Sequence, residues 1–406
     1  MKKHAQYLLL IIGLLVHLAS IPLLDIDPVA GDAKQFNKEA ENIKNGIGWI
    51  NTEGPGKATA TYPSQVIFLL IVKYIFGEYN IYAAVIIQHL MVLATALMVY
   101  LTSIMIFKQK NVALLAESLV IFFPHMIQSA NVLNTHTLSM FLGVTGIYLL
   151  MRKEIKTIVY IGIGAVWALA TMARFTYQFF VPLYILVFLI RYLRERKKKK
   201  LRILLKPLLF IIGFVLLILP WQIRVARADA GPYGYSGPWR ICYAFNRSPE
   251  NRSNDRDEFE MELAEKKLPL GEKDEIYRKK VISNFKNNPE WFLNNWLMNL
   301  SFLLVNLSTV KQPHISIYAG IYYSMLLAFG FIGIVSMNRE QILQYLPAII
   351  LLLVIFGVHV PIYGYISKSF PLWALFSPIV ARGFVLSFAA ARRDKKGMND
   401  YEERYR

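Results

Sequence analysis

The chain has 406 residues, of which 55 % are hydrophobic and only 18 % charged, and its mean hydropathy is +0.38, so a soluble globular domain is excluded and the bilayer is the solvent. Its formal charge of +18 comes from 45 Lys and Arg residues that gather beside apolar runs, a positive-inside pattern with attraction to anionic lipid and no nucleic-acid partner. Cys242 is the only cysteine, and no Cys/His group has zinc-ligand spacing, which sets aside disulfides within the chain and structural zinc.

The first predicted span covers residues 6–24, after a basic start at Lys2 and Lys3. It begins as a signal peptide does, but its apolar stretch runs on to Leu24, the length of an uncleaved helix. An outer segment follows at 25–64, opening with three aspartates, Asp25, Asp27 and Asp32, close to the membrane surface. A carboxylate there is placed to deprotonate an acceptor hydroxyl, or to hold a divalent cation that neutralises a phosphate leaving group. Asp25 and Asp27 also read simply as residues that end the helix at the interface, and Asp32 as the N-cap of a helix over 33–45.

Further spans are expected at 81–107, 112–129, 133–151, 157–173, 176–193 and 203–221, the last preceded by the densest basic run, Arg191 to Arg202. A second outer segment covers 222–313, and spans at 314–336, 342–363 and 371–391 complete the set. Segments 65–78 and 291–310 are also apolar, but the first is short and the second carries Asn294, Asn295, Asn299 and Asn306, so both are expected to lie along the outer interface.

The expected fold is therefore all-α and polytopic, with about 10–11 transmembrane helices and two large extracytoplasmic loops carrying interfacial helices. Its modules are an N-terminal transmembrane part at 1–221, a second outer loop at 222–313, C-terminal helices at 314–391 and a cytoplasmic basic tail at 392–406, with both termini inside. His359 and Arg382 fall in or near the last two spans, where ionisable groups are costly and suggestive. Asn246, Asn251, Asn299 and Asn306 open Asn-x-Ser sequons, glycan acceptors in a host with that pathway. The phosphate loop of ATP-driven pumps, the GxSxG elbow and the HExxH helix are missing from the sequence, which removes the commonest pump, serine hydrolase and membrane zinc-protease readings.

Several strings, taken in order, carry a resemblance. Gly31-Asp32-Ala33 and Phe36 precede Ala40, Ile43, Gly46 and Gly48; Tyr62-Pro63-Ser64 leads to Ile75-Phe76-Gly77; Phe123-Pro124 is followed by Asn134-Thr135-His136-Thr137-Leu138. Ala173-Arg174-Phe175 then stands at a helix end, and Leu219-Pro220-Trp221-Gln222-Ile223-Arg224 at the start of the second outer loop. The pattern resembles the C-type (GT-C) superfamily of membrane glycosyltransferases, in particular its protein O-mannosyltransferase and aminoarabinose transferase branch, over about the first 240 residues. Phe36 stands where that branch usually has Tyr, His136 where many relatives have Glu, and the second proline before Ser64 is missing.

The resemblance implies transfer of a sugar from a polyprenyl-phosphate donor to a saccharide, lipid or protein acceptor outside the cytoplasm, with Asp32 as general base and as the cation ligand if a divalent cation is used. Arg224 and Arg174, then Arg227, suit the donor phosphate through the guanidinium fork, and His136, Tyr62 and Lys57 complete the substrate-binding candidates. A transporter or flippase for lipid-linked saccharides is the alternative. It calls for paired charges and broken helices at the midplane of related halves, a symmetry this sequence lacks.

Overall fold

The computed structural model describes residues 4–49, 62–152, 155–194, 200–227, 238–246, 257–266, 268, 270–304, 313–362 and 370–405, and among them there are helices and no strand. The N-terminal helices are α1 (Ala5–Leu23), α2 (Asp32–Lys44), α3 (Pro63–Phe76), α4 (Asn80–Phe107), α5 (Lys110–Ile121), α6 (Pro124–Ala130), α7 (Thr135–Met151), α8 (Val159–Ala173), α9 (Phe180–Arg194) and α10 (Lys200–Arg227). They are followed by α11 (Pro238–Phe245), α12 (Glu258–Glu265), α13 (Leu270–Asn287), α14 (Pro289–Leu304), α15 (Pro313–Val335), α16 (Arg339–Ile362) and α17 (Phe370–Tyr405).

Among the described residues five helices, α1, α4, α10, α16 and α17, contain stretches long and apolar enough to cross a membrane, and α5 with α6 makes a sixth if their bent pair is one span. The protein is an integral, multi-pass, all-α membrane protein. Each expected span coincides with an apolar helix, but three differ in a way that has a local cause. The span expected at 112–129 is bent by 49° between α5 and α6, because Pro124 opens α6 and holds Phe123 in an extended conformation. The one expected at 176–193 starts as a 3-10 turn, Phe175–Phe179. The one expected to stop at 221 continues through Pro220 to Arg227, so the start of the second outer segment is helical.

Two helix pairs meet backbone to backbone. Gly164 of α8 lies against Phe210 of α10 while Gly213 of α10 lies against Ile161 of α8, and Gly333 of α15 and Gly383 of α17 meet Ile379 and Phe329 in the same way. Lipid tails are as apolar as leucine, so close van der Waals approach, which only small residues permit, holds such pairs together. Residues 161–164 meet 210–213, and further along both helices Leu169 and Met172 meet Ile218 and Trp221, so α8 and α10 are parallel with their C-terminal ends side by side. Around them Trp167 stacks on Phe180 at 3.8 Å, and Tyr177 fits over Gly143 and donates to the Ser139 carbonyl at 2.9 Å.

Helix α1 is attached differently. Tyr7, Leu8, Ile11 and Leu15 are exposed, and beside the apolar packing of Leu9, Leu10 and Leu14 the helix makes polar contacts to α4, α5 and α6. His17, fully buried, places Nε2 3.0 Å from the Ile121 carbonyl and Nδ1 2.8 Å from Nδ1 of the equally buried His89. In neutral rings this fixes both tautomers: His17 donates from Nε2 to the carbonyl and accepts at Nδ1 from His89. Asn131 adds an amide donor to Ser20 Oγ at 3.3 Å.

In the second outer segment, Tyr243, Leu263, Tyr277, Val281 and Phe292 form a small core beside an Arg240–Glu260 ion pair of 2.9 Å. Helix α14 buries Phe292, Asn295, Asn299 and Leu303 on one stripe and exposes Leu293 and Leu297 on the other. Asn299 donates to the Val360 carbonyl at 2.7 Å and Asn246 to the Pro361 carbonyl at 3.0 Å, so both asparagines fasten this segment to the end of α16. Buried amides engaged in this way do not serve as glycan acceptors, and the sequon reading of Asn246 and Asn299 is corrected accordingly; Asn251 and Asn306 lie outside the described residues.

Candidate active site

The C-terminal ends of α8 and α10 meet the first outer segment. Three glycines shape that segment at positive φ: Gly31 at 60°, Gly46 at 75° and Gly48 at 101°. A side chain is disfavoured there, which gives the Gly-Asp and Gly-x-Gly strings a backbone reason. Gly31, and not Asp32, is the N-cap of α2; Asp32 is the first helical residue and is exposed. Asp25 is also exposed, with φ of 44°, and Asp27 accepts the Val29 N–H at 3.0 Å in a local turn.

Arg174 caps the end of α8 in extended conformation, its own N–H returning to the Ala170 carbonyl at 2.8 Å. Its side chain is only 4 % exposed, and Nη1 lies 3.2 Å from Nδ1 of His136. Since a guanidinium only donates, that imidazole nitrogen accepts and carries no proton. Asn134 fixes the imidazole's backbone by capping α7, accepting the His136 N–H at 2.9 Å. Two residues on, Thr176 Oγ1 meets His359 Nε2 at 3.1 Å, one residue before the α16 carbonyl that Asn299 holds. Tyr62 lies between Phe36 of α2 and Phe175, with ring centroids 6.1 and 5.7 Å away. Ser64, opening α3, donates to the Leu169 carbonyl of α8 at 2.8 Å.

Arg224 lies on the last turn of α10, exposed, and reaches back to the first outer segment, where Nη2 donates to the Trp49 carbonyl at 2.7 Å and the guanidinium sits 5.6 Å from the Trp49 ring. The Trp49 indole packs against Trp221 at 4.8 Å and donates from Nε1 to Glu39 at 3.1 Å. Trp221 in turn packs on Met172 and Leu169 of α8, which brings the two arginine-bearing ends together. Arg227 shares the last turn of α10 and is exposed. Cations here are favoured by the negative end of the helix dipole.

The structure thus joins His136 to Arg174, Tyr62 to the turn after Arg174, and Arg224 to the first outer segment. Among the described residues no ion pair links Asp32 to an arginine, and no three of His, Cys, Asp or Glu gather as a metal site. Lys57 lies outside the described residues. The sequence reading passed over Glu39 and Trp49. The signal available was periodic: Glu39 lies on the stripe Ala33, Phe36, Ala40, all at 3 % exposure or less, where an acidic residue is out of place.

A profile of the dolichyl-phosphate-mannose-protein mannosyltransferase family matches residues 63–222, a stretch that includes His136 and Arg174 and stops between Trp221 and Arg224. The oligosaccharyltransferase AglB from Archaeoglobus fulgidus, in complex with an inhibitory peptide and a dolichol-phosphate, shares the fold over 98 % of this chain at 14 % identity and a TM-score of 0.59. The likeness is one of fold. Apo oligosaccharyltransferase from Archaeoglobus fulgidus matches likewise at 15 % identity and a TM-score of 0.60, and this chain spans 52 % of the length of either oligosaccharyltransferase chain. ArnT from Cupriavidus metallidurans bound to undecaprenyl phosphate matches at a TM-score of 0.44 and 12 % identity, over 93 % of this chain and 77 % of its own. No curated protein sequence matched the chain.

Proposed function

We propose that this protein is a membrane glycosyltransferase that moves a sugar from a polyprenyl-phosphate donor to an extracytoplasmic saccharide, lipid or protein acceptor, with the plasma membrane as its place if the host is prokaryotic. The observation that carries the reading is the convergence of the first outer segment with two helix ends that bear Arg174 and Arg224. A polyprenyl phosphate keeps its tail in lipid and its anion at the interface, which is where guanidiniums at helix ends are useful. The family profile and the GT-C fold support the same class of chemistry.

Asp32, as general base, takes the proton of the acceptor hydroxyl while that oxygen attacks the anomeric carbon and the bond from that carbon to the donor phosphate oxygen breaks. The leaving group is the polyprenyl phosphate, and Arg174 and Arg224 stabilise the charge it gains. Arg174 is pre-organised by His136, so it needs little rearrangement as charge develops. Hexosyl and pentosyl transfer fit the reading equally, with inversion at the anomeric carbon.

The test is Asp32→Asn in membranes supplied with a radiolabelled polyprenyl-phosphate sugar. A positioned general base contributes about 10²–10⁴-fold, so transfer is expected to fall by at least about a hundredfold. Full activity in the variant would overturn the assignment of Asp32, and translocation of the lipid-linked sugar without any transfer by the wild type would favour a flippase.

A further inference from the structure

We propose that Glu39 is a positioning residue that aims Arg224 at the donor phosphate by holding Trp49. The inference rests on the donor-phosphate role of Arg224 and goes beyond it to the residue that makes an exposed arginine usable.

Glu39 is 1 % exposed on the buried face of α2, between positions filled by Phe36 and Ala40. A residue needed there only to fill space would be apolar, since burying a carboxylate is costly unless hydrogen bonds replace its water. Its Oε1 takes the Gln35 side-chain amide at 3.3 Å and its Oε2 the Trp49 indole N–H at 3.1 Å. Trp49 follows the Gly46 and Gly48 turns, which need the glycine-favoured conformation and leave that stretch of chain without a helix to orient it. The bond from Glu39 thus fixes an indole that the local backbone does not.

Once held, Trp49 does three things. Its ring packs on Trp221 at 4.8 Å, its face lies under the Arg224 guanidinium at 5.6 Å, and its carbonyl accepts from Arg224 Nη2 at 2.7 Å. An exposed arginine otherwise samples many rotamers. Here one N–H and one face are engaged, which orients the fork and leaves its other N–H groups for a phosphate. Glu39 never touches the substrate in this scheme; it acts through the indole.

The test uses the full chain in phosphatidylcholine nanodiscs with undecaprenyl phosphate as the probe. Measurements are the Kd and the far-UV exciton signal of the packed Trp49–Trp221 pair. Arg224→Ala and Glu39→Ala are each expected to weaken binding about tenfold, the double variant no more than either. Glu39→Gln, which keeps an oxygen acceptor, should restore the affinity to within about threefold of wild type and restore the exciton signal. Trp49→Phe keeps the ring and removes the N–H, so it should match Glu39→Ala in affinity and serves if that variant does not fold. Wild-type affinity in Glu39→Ala or Trp49→Phe, with Arg224→Ala weakened, would overturn the inference alone. Wild-type affinity in Arg224→Ala would overturn the phosphate role on which it rests.

Discussion

Replacing Gly164 by alanine tests whether the α8–α10 contact sets the site. A methyl built there would sit about 1 Å inside the closest approach a real Cβ makes to a carbonyl oxygen, here that of Phe210, so the two backbones must part by about that much. Overpacking of this kind costs about 1–3 kcal/mol, against about 0.5–1 kcal/mol that a helix gains from Gly→Ala. The net loss of about 1–2 kcal/mol corresponds to a fall in Tm of roughly 2–8 °C at the scale of large domains. Arg174 at the end of α8 and Arg224 on α10 lie about 15 and 21 Å beyond the contact at 1.5 Å per residue. A misplacement of about 1 Å at a reacting centre is worth up to about a hundredfold in rate. Thermal unfolding in detergent and the transfer assay read the two effects. Gly162→Ala, on the same helix but with nothing within 4 Å of the added methyl, is the control and should be neutral or slightly stabilising. If Gly164→Ala were as stable and as active as Gly162→Ala, the close-contact account would be refuted.

Other expectations concern the outer segments. Burial pushes the Cys242 thiol up to about 11, partly offset by the Asn246 amide, so alkylation of the folded protein at neutral pH should be on the order of a hundredfold slower than of a free thiol and should speed up about tenfold per pH unit towards 10. Because the folded state keeps this proton longer than the unfolded chain, its contribution to stability is intact below about pH 8.5 and is lost as pH rises towards 11, which pH-dependent melting will show. Asn299→Leu leaves the Val360 carbonyl without its 2.7 Å donor and should destabilise the protein by about 1–3 kcal/mol, measured by unfolding. Expressed in a host that glycosylates, the protein should carry no glycan on Asn246 or Asn299; mass spectrometry of those peptides decides it. His136→Ala removes the acceptor for the buried Arg174 and should lower transfer about tenfold, whereas His136→Gln, which can accept through its amide oxygen, should recover part of it.

How much of this was legible in the sequence varied with the range of the forces involved. Apolar runs mark a helix in lipid unambiguously, because every backbone group must bond within it, so the positions of the helices could be read directly. Where a run ended was less clear. Pro220 looked like the end of a span, yet α10 carries it and continues to Arg227, since a proline in one helix can be accommodated by its neighbours. Arg174 and Arg224 are expected from the sequence as cations on the outer side; in the structure both sit at helix ends near segment 25–64. Glu39 did not stand out, because α2 is polar overall and its buried face is visible only when Ala33, Phe36 and Ala40 are aligned at helical spacing. The asparagines of α14 suggested an interfacial helix with its polar face in water. The structure turns Asn295 and Asn299 inward, and Asn299 meets the last turn of α16, whose carbonyls need donors.

The attachment of α1 bears on how the chain is assembled. Its lock consists of His89, the Ile121 carbonyl and Asn131, all contributed by parts of the chain that emerge from the ribosome later. Helix α1 therefore enters the bilayer before the groups that secure it, waiting with an unpaired imidazole until α4 and α5 arrive. Because the segment that carries Asp32 follows that helix, it too takes its final place only after α4 and α5 have been inserted.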